Sequence, residues 1–334
     1  MTRILDPDGP GIAAAAELIA AGELVGMPTE TVYGLAGLAF DEAAVARIFA
    51  VKERPTFDPL IVHLPARAAL SEVAALDKLH LRAIAALDRL IERFWPGPLT
   101  VVLPRTSRVP DLVASGLPTV AVRMPDHPAA QALLNAVGAP LAAPSANRFG
   151  RISPTSAGDV IAELGGRIAA VIDGGPCAVG IESTIVSLVG PPTLLRPGAV
   201  PAGAIDEALG APLARGVTPT TPLAAGMLPQ HYAPHTPLVL FGDLPASLPA
   251  HLGLLVQSGD AEAAGRALAG RTGRRVTAVS LSADGDLVER ARRLFACLRA
   301  LDDSGAGLIL AEDCLEEEGL GHAIRDRLRR ASSR

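Results

Sequence analysis

The chain has 334 residues, 49% of them hydrophobic and 19% charged. That is enough apolar mass for two domains of ordinary size with sizeable cores, and too much for a mainly disordered chain. The formal charge of −5 supplies no overall basic field, which argues against a protein whose main work is holding DNA or RNA.

The opening "MTRILDPDGP" meets Asp and Pro before any apolar run, so no targeting signal is expected. Apolar stretches such as "GIAAAAELIAAGELVGM" are broken by Glu17 and Glu23, and no membrane span is expected. Helices are predicted over 11–22 and 41–54, the second opening on Asp41 as its N-cap. β-like runs follow at 59–64, 99–104, 119–124, 140–145, 169–173 and 184–189, with helical stretches at 66–94, 127–137 and 156–166. In "DHPAAQALL" Asp126 is the expected cap, with Pro128 in the first turn. Strands mixed with helices at this spacing mean an α/β domain of about 200 residues.

From about 197 to 236 the chain is dense in Pro, Gly and Thr and reads as a long linker. Beyond it, the apolar runs "PLVLFG", "LGLLVQSG", "VTAVSLS" and "AGLILAE" alternate with helical stretches at 260–270, 286–302 and 320–331. That rhythm predicts a small Rossmann-like parallel sheet, although neither G-x-G-x-x-G nor the P-loop pattern accompanies it. Cys177, Cys297 and Cys314 are scattered, with no metal-site spacing, and fit a reducing compartment, so a cytoplasmic protein is expected.

The polar motifs cluster in the first 200 residues. "MPTETVYGLAG" at 27–37 is followed by "VKERPTFDPLIVHL" at 51–64, with Lys52, Arg54 and His63. "TVAVRMPDHP" carries Thr119 and Arg123, and "APSANRFGRISPT" carries Ser145, Asn147 and Ser153. "GIESTIVSL" adds Ser183, and "LLRPG" adds Arg196. Taken singly, each has a plain structural explanation. Cations at a helix end offset its dipole, a histidine in an apolar strand can be a satisfied core residue, and Ser/Asn/Pro/Gly segments make turns. Arg123 and Arg196 close apolar strands, where α/β proteins place ligand contacts, and a buried guanidinium needs an anion. Together, four cations, two hydroxyl-rich loops and no paired carboxylates point to a site for anionic reactants.

These motifs, in this order, resemble the YrdC/Sua5 family of threonylcarbamoyl-AMP synthases, and the resemblance runs over nearly the whole chain. It implies a YrdC-like catalytic domain over 1–200, with a twisted mixed sheet and a concave ligand site. It further implies a Pro/Gly-rich linker over 201–236 and a smaller Rossmann-like C-terminal domain over 237–334. The implied reaction joins L-threonine, bicarbonate and ATP into threonylcarbamoyl-AMP and pyrophosphate, for N6-threonylcarbamoyladenosine in tRNA at position 37. By position, Thr31, His63, Arg123, Ala143 and Ser183 would contact threonine. Arg54, Asp58, Thr119, Ser145, Ser153, Arg196 and Tyr232 would contact ATP, with Lys52 and Arg54 as charge stabilisers in catalysis. Mg²⁺ would arrive with ATP, no protein metal site being expected. The implied partners are downstream tRNA threonylcarbamoyl transferase proteins, with a weak direct tRNA contact left open and no membrane. An RNA-binding module of YrdC type is the alternative. Asp58 stands where the family usually has Asn, and "AGMLPQHYAP" departs from the family's usual linker motif.

Overall fold

Asp8 and Asp41 begin two of the first helices by accepting hydrogen bonds from backbone N–H groups that have no partner inside the helix: Gly11 for the first, Ala43 and Ala44 for the second. The structure is a computed structural model that describes residues 1–216, 224, 226–228, 230–241, 247–316 and 318–332. Its first elements are β1 (Arg3–Leu5), α1 (Gly9–Ala20), β2 (Val25–Met27), β3 (Gly34–Leu38), α2 (Glu42–Lys52) and β4 (Ile61–His63). Next come α3 (Leu70–Val73), α4 (Leu81–Phe94), β5 (Leu99–Pro104), β6 (Thr119–Arg123), α5 (Pro128–Val137) and β7 (Leu141–Ala142). They are followed by α6 (Ala157–Leu164), β8 (Ala170–Ile172), β9 (Thr184–Ser187), β10 (Thr193–Arg196) and α7 (Ala202–Leu209). The remainder is β11 (Leu238–Leu240), β12 (His251–Val256), α8 (Ala261–Thr272), β13 (Arg275–Ser280), α9 (Leu287–Asp302), β14 (Leu308–Ala311) and α10 (Gly319–Ser332).

The first ten strands form one mixed sheet in the order β1-β8-β2-β3-β7-β4-β6-β5-β9-β10. The last four form a second sheet, β11-β14-β12-β13, parallel throughout. This is the mixed α/β architecture with a smaller parallel sheet that the sequence predicts. Ile12 and Ile19 of α1 pack with Leu133 and Leu134 of α5 on one side of the large sheet. Ile48 of α2 and Leu87 and Leu90 of α4 pack with Val101 and Val122 in another core cluster. A smaller apolar cluster on β4, β5, β6, β9 and β10 (Ile61, Val102, Ala121, Ile185 and Leu195) is covered by Ala224 and Met227. The core of the second sheet takes in Val32, Ile152 and Ile181 from the loops of the first, packed with Phe295, Ile324 and Leu328.

Three expectations change. The stretch 66–94 is not one helix, because Ala74 leaves α3 to bridge Arg105 and Ala75 donates to Pro104 O; α4 then restarts on His80 as cap. The cap of α5 is His127, not Asp126: the residue before Pro128 is driven into extended geometry, and that geometry defines the capping position. Finally, the 201–236 stretch holds α7, set between Pro201 and Gly210 and burying Ile205 and Leu209. Residues 217–223, 225 and 229 of that stretch lie outside the described residues.

Candidate functional site

The parallel strands β4 and β6 end in register, His63 opposite Arg123, so both side chains sit at the carboxyl edge of the sheet. Both are buried, and burial together with the Arg123 charge lowers the His63 pKa to about 3, which leaves a neutral imidazole at ordinary pH. Arg123 Nη1 donates to Thr31 Oγ1 (2.8 Å) and Nε to Gly97 O (3.3 Å). Its Nη2 lies 2.5 Å from Glu30 Oε1, an ion pair whose geometry is not that of a hydrogen bond.

Thr31 is held by the turn that joins β2 to β3. Thr29 Oγ1 donates to Val32 O (2.6 Å), accepts from the N–H groups of Thr31 and Val32, and meets Thr31 Oγ1 at 2.9 Å. Tyr33 braces this turn, its hydroxyl donating to Gly175 O (2.7 Å) and accepting from Gly174 N (3.1 Å).

Two further arginines are buried at the site. Arg196, ending β10, gives Nε and Nη2 to Ser183 O and Nη2 also to Ser183 Oγ, whose hydroxyl pairs with Thr100 Oγ1 at 2.7 Å. Arg54 gives Nε to Asp58 O and Nη2 to Pro59 O, and forms an ion pair with Asp58 Oδ2 at 2.9 Å. Burial lowers the pKa of both guanidinium groups, and burial likewise pushes the Asp58 carboxyl up against the pull of Arg54.

Thr31, Arg54, His63, Arg123, Ala143, Ser145, Ser183, Arg196 and Tyr232 all line one cavity, as the sequence expects of a shared site. Lys52, Asp58, Thr119 and Ser153 are not among the lining residues. Lys52, expected beside the reactants, instead gives Nζ to Ser145 O and Asn147 O (2.5 Å each) and so fixes the loop beneath the cavity. Burial, then the Arg54 charge, drives its pKa well down. Asp58 faces Arg54, Ser153 donates to Glu182 Oε1, and Thr119 Oγ1 is buried without a hydrogen-bond partner.

The sequence reading also missed residues. Glu30 and Glu182 sit inside the quoted motifs, and the need of a buried guanidinium for an anion was the available signal. Gly226 and His231 line the cavity beside Tyr232. Tyr232 has a left-handed backbone (φ 64°), with its ring 4.1 Å from His231 and stacked on Phe295 of α9 at 5.6 Å. Arg327 of α10 lies 5.3 Å over that ring and gives Nε to Glu182 Oε2 (3.0 Å) and Nη1 to Pro197 O (2.6 Å). With Gly226 and Tyr232 in place, the cavity is small, about 40 Å³ in volume. Among the described residues no three His, Cys, Asp or Glu side chains converge as a metal cage, and no helix is long and apolar enough to cross a membrane.

Residues 17–198 match the family model described as "Telomere recombination" (Sua5, YciO and YrdC), and residues 200–333 match "Threonylcarbamoyl-AMP synthase, C-terminal domain". The threonylcarbamoyl-AMP synthase of Pyrococcus abyssi is 41% identical over 335 residues, spanning 96% of this chain and 94% of the relative. That of Bacillus subtilis is 38% identical, spanning 99% and 96%. The crystal structure of P. abyssi Sua5 complexed with L-threonine superposes with a TM-score of 0.83 at 36% identity, covering 99% of this chain and 97% of that one. Both sheets and the cavity thus lie inside regions shared with these proteins, and the chain belongs to the Sua5/YrdC family.

Proposed function

We propose that this chain is an L-threonylcarbamoyladenylate synthase, making threonylcarbamoyl-AMP, pyrophosphate and water from L-threonine, bicarbonate and ATP. Its product feeds N6-threonylcarbamoyladenosine formation at position 37 of tRNA through downstream transferase proteins. The observation that carries this reading is the convergence of three buried arginines, Arg54, Arg123 and Arg196, on one small cavity with the hydroxyls of Thr31 and Ser183.

Bicarbonate, the amino-acid carboxylate and the triphosphate are all anionic, so the reaction needs their mutual repulsion offset before they meet. Fixed guanidinium groups, themselves buried, do that without reorganising during the reaction. Thr31, His63, Arg123, Ser183 and the backbone at Ala143 would hold threonine. A neutral His63 suits hydrogen bonding rather than charge pairing. The threonine amine takes up the carboxyl unit of bicarbonate, and a carbamate oxygen then attacks the α-phosphorus of ATP, expelling pyrophosphate.

Arg54, Ser145, Arg196 and Tyr232 would hold ATP; Thr119, which does not line the cavity, is joined to them by the family resemblance alone. Asp58 acts through Arg54, Ser153 through Glu182, and Lys52 through the 145–147 loop, so these three position rather than touch the nucleotide. Mg²⁺ would enter with the triphosphate, whose oxygens would hold it, and would supply further charge neutralisation. In this reading residues 1–200 carry the chemistry, 201–236 close over the nucleotide, 237–334 support that closure, and the protein works in the cytoplasm, with at most weak direct contact to tRNA.

Pyrophosphate release from ATP and bicarbonate, measured with L-threonine, without it, and with L-serine instead, tests the reading. Release that needs threonine and bicarbonate together is expected. Release indifferent to threonine would overturn it.

A further inference from the structure

Helix α10 belongs to the unit built on the small parallel sheet, yet Arg327 on it is wholly buried against the cavity wall of the other unit. We propose that Arg327 is a positioning residue for the anion site: it neutralises Glu182, the one carboxylate among the described lining residues, and holds Tyr232 against the cavity. The inference rests on the function proposed above.

A carboxylate facing a cavity for a triphosphate and an amino-acid carboxylate would repel both. Here both Glu182 oxygens are engaged, Oε2 by Arg327 Nε at 3.0 Å and Oε1 by Ser153 Oγ at 2.5 Å. The same guanidinium binds Pro197 O at 2.6 Å. One side chain therefore fixes the residue before Ser183 and the residue after Arg196, and those two neighbours are themselves bonded to each other.

Tyr232 sits at φ 64°, a region that non-glycine residues rarely occupy, so its surroundings must hold it there. Those surroundings are the ring of Phe295 and the Arg327 guanidinium 5.3 Å over the tyrosine ring. One turn on, Arg330 gives Nη1 to Met227 O (3.1 Å) and Leu228 O (2.5 Å), anchoring the same covering segment to α10. Phe295, Arg327 and Arg330 all belong to the second unit, so residues far along the chain help to finish the cavity wall.

The test uses the full chain, with affinities for ATP and for L-threonine read by calorimetry and pyrophosphate release read separately. Arg327→Met is expected to weaken both affinities about tenfold, as an uncompensated like charge does. Adding Glu182→Gln should then bring the L-threonine affinity back to within about threefold of the parent, because the neutral pair leaves no bare charge. A merely structural arginine would not be rescued this way.

If Arg327→Met does not fold, the E182Q/R327M chain is compared with the parent on its own; near-parental threonine binding supports the proposal, and loss of binding overturns it. Unchanged affinities in a folded Arg327→Met chain also overturn it, as does a failure of Glu182→Gln to restore binding. A parent that binds both ligands but releases no pyrophosphate would sink the function proposed above while leaving this comparison readable.

Discussion

Lys52→Met separates two roles for a buried cation. In the structure the ammonium serves two backbone carbonyls, Ser145 O and Asn147 O, and no water reaches it. Methionine keeps the length of the side chain but leaves both acceptors unsatisfied, at about 1–3 kcal/mol each. Against that, removing a buried ammonium relieves a desolvation cost of several kcal/mol, part of which its lowered pKa already reflects. The two orphaned carbonyls total about 2–6 kcal/mol, and with roughly half of that offset by the relieved desolvation a net loss of about 1–3 kcal/mol is expected. For a unit of roughly 200 residues that is a fall in Tm of about 2–12 °C. Thermal unfolding followed by circular dichroism reads it directly. Because the loop carries Ser145 to the cavity, the KM for ATP should rise more than kcat falls. A chain with parental Tm, parental KM and a kcat reduced about a thousandfold would refute this reasoning, since that pattern belongs to a group acting only on the transition state.

Arg123→Met should remove threonine binding and destabilise the fold by about 3–5 kcal/mol, because Glu30 is left buried without its counter-charge. Adding Glu30→Gln should recover most of the stability and none of the binding; a double variant no more stable than the single one, by urea denaturation, would count against the pairing. Gly226→Ala places a Cβ 2.5 Å from the Tyr232 hydroxyl and 2.8 Å from Arg196 Nη1, at φ +76°, so the KM for ATP should rise at least several-fold in a steady-state titration. Parental ATP kinetics would refute that contact. The His63 pKa is about 3 when folded and 6.5 unperturbed, so the unfolded chain binds the extra proton: stability is complete above pH 6.5 and falls as pH drops from 6.5 towards 3. His63→Gln should flatten that acid limb by up to about 1.4 kcal/mol per pH unit, read from urea midpoints between pH 4.5 and 7; an unchanged slope would exclude burial of a neutral ring.

What the sequence made visible follows from what local patterns encode. Asp41 as a cap, the runs ending at His63 and Arg123, and the second parallel sheet all rest on neighbours a few residues apart. β3 escaped notice because "GLAGL" carries no β-branched residue; its glycines are there for space, since a Cβ at Gly37 would come within 2.9 Å of Leu24 Cδ2. β1 and β2 are three residues each, too short for any period to show. The partners of Lys52 could not be read from its own helix, because the carbonyls it serves lie 93 and 95 residues further on. Glu182 and Arg327 are 145 residues apart, and no spacing rule reaches that far.

The strand order of the large sheet also bears on how the chain is made. Among the described residues β1 pairs with β8 alone, Arg3 opposite Ala170, and β5 pairs with β9, Leu99 opposite Thr184. A ribosome adding roughly 5–20 residues per second leaves β1 waiting on the order of ten seconds or more for its neighbour to be synthesised. Pairings this distant in sequence also make the later search slow, because each must close a long loop before any contact rewards it. β1 therefore spends its early life as an unpaired edge, within reach of any other exposed strand nearby.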